Sequence, residues 1–248
     1  MGLFWSLTYS VYRFALIRNN SYAPAMKIKI TSALFLFALI GNVFSADPSV
    51  KVDTVWTGAA SDAWADSVNW SLGLPSAKGV ANTVIQNNST KVAPVVSTTG
   101  NKTVGQVYIM AGGSLVIKKE GELNTAGNFV TGNNGQAGMT EVTGGTLNVG
   151  GVLLIGHNGF EGSLKIDSGT VNAEGLSIHE AGAAKVLLVG TGKLILPNSE
   201  ENLRNVRYWI DNSKLITAQG TDASMEYSVD VDTEKQPGKI VISVWSGK

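Results

Sequence analysis

The sequence predicts an all-β protein: a right-handed parallel β-solenoid of three short strands per turn and about five turns, closed by a C-terminal helix and β-hairpin. Three observations predict it. GTLN (Gly145–Asn148) returns 24 residues later as GTVN (Gly169–Asn172). Apolar residues recur in columns at nearly that interval. Glycine accounts for 29 of 248 residues, and Val, Ile, Leu, Thr and Asn dominate after position 50, a balance that favours strands and turns over helices.

Between residues 100 and 196 the chain can be set out in rows. Leu123, Leu147, Val171 and Leu194 form one column, with steps of 24, 24 and 23 residues. Val107, Phe129, Leu153 and Leu176 form a second, and Leu115, Thr140, Leu164 and Leu187 a third. Each column has companions two residues on: Val149, Ala173 and Leu196; Ile109, Thr131, Ile155 and Ile178; Ile117, Val142, Ile166 and Val189. Alternation at i and i+2 points one face of a short strand inward. A single turn buries too little to offset its own ordering entropy, so the repeat supplies each turn with a neighbour to pair with. Asn124, Asn148 and Asn172 keep the 24-residue step and are expected to form an amide ladder at a bend, where asparagine tolerates left-handed backbone. Gly127, Gly151 and Gly175 keep the same step and are expected to serve positive φ or close backbone approach at the corners.

The ends differ from the middle. Met26 to Lys29 supply a basic start, Ile30 to Ile40 an apolar run, and Val43 to Ala46 small residues for cleavage, which together read as a signal peptide near 26–45 and a secreted protein. A membrane-anchoring helix between Phe4 and Ile17 is the rival reading. The domain order is therefore leader and signal peptide (1–45), Trp-rich cap and first turn (46–99), solenoid repeats (100–196) and C-terminal cap (197–248). In that last segment Asn198 is the expected N-cap, with Glu201 completing a capping box ahead of Leu203, Val206, Trp209 and Ile210. Two strands, 226–232 and 239–245, follow. In the N-terminal cap Trp56, Trp64 and Trp70 fall within 15 residues. They are read as cap core, and alternatively as a stacking platform for sugar rings.

The W-x-G…W…NW…G-x-P opening, the G-x-L-x-I-G and G-T-L-x-V repeats and the closing ITAQG (Ile216–Gly220) resemble those of secreted bacterial β-strand-repeat proteins, of the autotransporter-associated and PEP-CTERM type. That resemblance covers roughly residues 53–245. It implies a parallel β-solenoid displayed outside the cell, with no catalytic residues to carry over.

Charge and chemistry narrow the function. Residues 1–46 hold four basic and no acidic groups, leaving 15 basic and 19 acidic over the rest. That balance gives no basic face for nucleic acid. The chain has no cysteine for a disulfide, a thiolate metal site or a lipid anchor. His157 and His179, with Glu180, are weak metal-ligand candidates near one corner of successive turns. The acidic residues of the repeats are scattered, without the paired carboxylates a glycan-cleaving β-helix needs. No cofactor is expected. The leading expectation is a non-catalytic, secreted or cell-surface scaffold that presents rows of Thr, Asn, Ser and Lys to an extracellular polysaccharide or a cell-surface protein, with no membrane contact after signal cleavage. A carbohydrate-binding module or reduced polysaccharide-active enzyme is the alternative, and head-to-tail self-association into filaments a third.

Overall fold

Short alternating segments broken by glycine become strands that pair with their own repeats. The computed structural model describes residues 52–76, 80–86, 92–100, 103–133, 137–222 and 225–247. The leader and signal peptide expected over 1–45 lie outside the described residues. Strands β1 (Val52–Val55), β2 (Val80–Gln86) and β3 (Val95–Val96) come first. β4 (Gln106–Met110), β5 (Gly113–Lys118) and β6 (Glu122–Thr125) make the first complete turn. β7 (Phe129–Thr131), β8 (Gly138–Thr143) and the first half of β9 (Thr146–Ile155) make the second. The rest of β9, β10 (Gly162–Asp167) and the start of β11 (Thr170–Ile178) make the third. The fourth takes the rest of β11, β12 (Lys185–Val189) and β13 (Lys193–Pro197). Helix α1 (Glu200–Asp211), β14 (Ile216–Gln219), β15 (Tyr227–Asp232) and β16 (Lys239–Ser246) complete the chain.

These strands stack into the three faces of a parallel β-solenoid of about four turns rather than five. One face runs β1-β2-β4-β7-β9-β11 and a second β3-β5-β8-β10-β12-β14. The third runs β6-β9-β11-β13 and continues antiparallel through β16 to β15. Among the described residues of the turn containing β2 and β3, a bridge from Val104 to Thr125 reaches the third face.

Registers follow the sequence columns with one exception. Leu123, Leu147, Val171 and Leu194 are aligned partners, as are Val107, Phe129, Leu153 and Leu176. On the second face Leu115, Thr140 and Leu164 align, but the next partner is Val186, and Ile166 pairs with Leu188. Val186 and Leu188 are fully buried while Leu187 and Val189 face outward, so the column read through Leu187 and Val189 is corrected by one residue. Inside the core the Thr131 and Thr140 hydroxyls bond each other at 2.8 Å, which satisfies two polar groups that burial would otherwise penalise.

The corners also differ in detail. Left-handed backbone falls at Glu120, Gly144, Ser168 and Gly190, with φ between 56° and 75°, where the second face turns into the third. The glycine column that this corner requires is Gly121, Gly145, Gly169 and Gly192. An added Cβ at Gly121, Gly145 or Gly192 would overlap the carbonyl of Val96, Lys118 or Ile166. Gly127, Gly151 and Gly175 do not have positive φ. Gly127 and Gly151 are close-approach sites, with a Cβ 2.8 Å from the Gln106 side chain and 2.6 Å from Asn128 Oδ1 respectively. Gly175 has only ordinary contact, 3.5 Å from Val152.

Both ends are covered. The 62–73 loop closes the N-terminal end: Ser71 N–H donates to Val55 O, and Trp64 N–H to Val95 O. At the other end α1 buries Val206 and Trp209 against the core. Its N-cap is Ser199, whose Oγ accepts from Asn202 N–H at 3.1 Å, rather than the expected Asn198. Asn198 is instead held by its own N–H to Gly238 O, which fixes the chain on the hairpin and leaves Ser199 at the helix mouth. In the β15–β16 turn, Asp232 Oδ1 accepts the N–H groups of Lys235 (2.7 Å) and Glu234 (2.8 Å). Asp232 Oδ2 lies 3.0 Å from Lys235 Nζ. Those bonds, the Lys235 N–H first, hold the carboxyl at about 2, and the Asp232 carboxylate bonded to Nζ raises the Lys235 ammonium. The charges of Asp230 and Asp232 on terminal strand β15 also discourage further edge pairing.

Candidate functional site

The third face carries the polar feature that repeats most regularly. In β6, β9 and β11, Leu123, Leu147 and Val171 point inward, so the next residues, Asn124, Asn148 and Asn172, point outward from the middle of extended strands. The sequence placed these asparagines at a bend. They lie in mid-strand because pairing runs in unbroken register through Val149 and Ala173, and the chain turns only after them, where the register shifts between Ala173 and Gly175. Asn172 Nδ2 donates to Asn148 Oδ1 at 2.7 Å, and Asn148 Nδ2 donates to Asn124 Oδ1 at 2.8 Å. The run ends on a carboxylate: Glu122 Oε1 accepts from Asn124 at 3.1 Å and Asn148 at 3.3 Å. All amides therefore donate in one direction, towards the N-terminal end, and a negative charge receives the last donor. Hydrogen bonds aligned in this way polarise one another.

This ladder forms one wall of a groove of about 410 Å³. Val149, Gly150 and Ala173, where β9 and β11 pass from the third face to the first, line it as well. Thr103 contributes at the N-terminal end, and Ile195, Glu174 and Lys239 towards the C-terminal end. Sequence reasoning missed these four. Glu174 had a visible signal, two residues past Asn172. Lys239 had none, because it arrives on β16, whose antiparallel pairing with β13 places Lys239 opposite Pro197.

Other candidates lie elsewhere. Trp56, Trp64 and Trp70 are buried beneath the N-terminal loop, with Trp70 edge-on to Trp56 (centroids 4.9 Å apart) and to Trp64 (4.7 Å). Trp56 Nε1–H donates to Val92 O and Trp70 Nε1–H to Trp64 O. With exposures of 1 to 4%, none offers a ring face to a sugar in this structure, and the three indoles are the core of the cap. His179 Nδ1 accepts from Ala181 N–H, and Glu180 Oε2 accepts from the Tyr208 hydroxyl of α1. His157 is half-buried at the preceding corner. Among the described residues no three His, Asp or Glu side chains form a group suited to a metal ion. No described helix is long and apolar enough to cross a membrane.

Compared with known proteins, the chain matches no family model, no curated protein and no solved structure.

Proposed function

We propose that this protein is a non-catalytic, exported β-solenoid that works by rigid display, presenting fixed rows of polar side chains to a glycan or a protein outside the cell. The observation that carries this reading is the asparagine ladder with its bonds of 2.7 and 2.8 Å, which holds amides of successive turns in register on an outward face. A surface ordered before contact loses little entropy on binding. The basic, apolar and small-residue sequence of residues 26–45 supports export, and the β-strand-repeat motifs support display at a bacterial surface. Binding is favoured over glycan cleavage because, of the two carboxylates at this site, Glu122 is engaged by the Asn124 and Asn148 amides, which leaves Glu174 alone on the groove lining, whereas glycoside hydrolysis uses a pair.

The test is fractionation of the full chain, tagged at its C-terminus, in a bacterial host. Export predicts tagged protein in the periplasm or medium, shortened by about 45 residues. Full-length protein confined to the cytosol refutes it. For the adhesive part, beads coated with the purified protein are expected to be retained on intact cells or cell-wall preparations. Retention no greater than that of albumin-coated beads refutes that part.

A further inference from the structure

We infer that the ladder groove is a binding site for one extended, uncharged, hydroxyl-rich polysaccharide strand lying along the solenoid axis. This rests on the display reading above and names its ligand class and its site. The length comes from the strands. From β6 through β9, β11 and β13 to β16 the third face spans four inter-strand steps, about 19 Å at about 4.8 Å each, enough for about four sugar units.

The spacing selects among polymers. An extended peptide laid along the axis would present equivalent groups every second residue, about 6.6–6.8 Å apart, and would fall out of step with the ladder within two turns. An extended pyranose chain advances by about one inter-strand step per sugar, so each ladder amide meets one ring, with successive rings presenting opposite edges. Charge makes a second selection. Lys239 and Glu174 line the groove with opposite sign, neither is ion-paired among the described residues, and Glu122 adds a negative charge at the end of the ladder. An anionic polymer or nucleic acid would need several cations along its path.

Hydrogen-bonding capacity makes a third. A primary amide has two donors and an acceptor oxygen with two lone pairs. Asn172 uses one donor in the ladder and its Oδ1 receives no bond from a described residue, while Asn124 and Asn148 each keep a lone pair on Oδ1. Thr103, Lys239 and Glu174 add a hydroxyl, an ammonium and a carboxylate at the rim. Mixed donors and acceptors on a repeating track suit hydroxyl groups, which are both. The ladder fixes the amides beforehand, so the ligand does not bear their ordering cost.

The test is calorimetric titration of the purified protein with cellohexaose, maltohexaose as a curved neutral glycan, and hexagalacturonate as an anionic one. The expected result is saturable binding of cellohexaose at least tenfold tighter than of either other oligosaccharide. Glu174→Trp fills the groove from an exposed rim position outside the ladder. It is expected to weaken binding at least tenfold with an unchanged melting curve, while Lys165→Trp on the second face leaves binding unchanged. Asn148→Leu, checked for fold by circular dichroism, should also weaken it. The inference is overturned if the wild type binds none of the three, prefers hexagalacturonate, or responds alike to Glu174→Trp and Lys165→Trp. Beads retained on cells by a protein that ignores all three glycans would overturn the inference and leave the display reading standing. A cytosolic protein that binds cellohexaose would do the reverse.

Discussion

Replacing Asn148 with Ala tests the ladder as a source of stability. Asn148 makes three side-chain bonds, to Asn124 (2.8 Å), from Asn172 (2.7 Å) and to Glu122 (3.3 Å). A typical net value is about 0.5–1.5 kcal/mol per bond, and two short bonds with one long one give about 1.5–3 kcal/mol. Partial exposure favours the lower half, because water reaches the orphaned partners. Asn124 makes two bonds and Asn172 one. Their alanine substitutions should cost about 1–2 and about 0.5–1.5 kcal/mol. The order 148, 124, 172 is firmer than any single value, since the chemistry is the same at each position. Urea denaturation followed by circular dichroism measures it, with a slope that should not change. At about 2–4 °C per kcal/mol for a chain this long, Asn148→Ala should lower Tm by about 3–12 °C. The Asn124→Ala/Asn148→Ala double variant should cost less than the sum, because one bond is shared. Equal losses at all three positions, or the largest loss at Asn172, would falsify the reasoning.

Three further outcomes are expected. Trp70→Ala removes both edge-on ring contacts and the Nε1–H bond to Trp64 O, and should cost about 3–5 kcal/mol in denaturant melts; a cost below about 1 kcal/mol would show that the cap core is not built on this triad. Gly175→Ala should change stability by under about 1 kcal/mol, whereas Gly151→Ala, whose Cβ must displace Asn128 and the Gly127 backbone, should cost about 1–3 kcal/mol. Similar melts for the two variants would contradict the contact geometry. Asp232 is depressed from 3.8 to about 2, so its contribution is present above pH 3.8 and is lost as pH falls through about 2. NMR signals of the Glu234 and Lys235 amides should therefore shift with a midpoint near about 2, and a midpoint at 3.8 or above would show that these bonds do not form in solution.

The repeat was legible in the sequence because burial leaves a local mark. A strand buried on one face alternates, and a turn that must stack on its copy repeats the alternation at nearly fixed interval, as Leu123, Leu147 and Val171 do. The amphipathic cap helix was visible for the same reason, in the spacing of Leu203, Val206, Trp209 and Ile210. The candidate site was half legible. The 24-residue step marked its asparagines, but their place on an outward strand face depended on where the bend falls.

What the sequence determined by itself was therefore the period, two of the inward columns with the third as far as Ile166, and the existence of two distinct ends. The tertiary structure decided the rest. In KVLLV (Lys185–Val189), Val186 with Leu188 and Leu187 with Val189 alternate equally well, and a one-residue slip exchanges the two faces. Only stacking on Leu164 and Ile166 chose Val186 and Leu188. Likewise, only antiparallel pairing brought Lys239 to the groove. Local pattern records whether a side chain is buried; which neighbour it meets is set by long-range pairing.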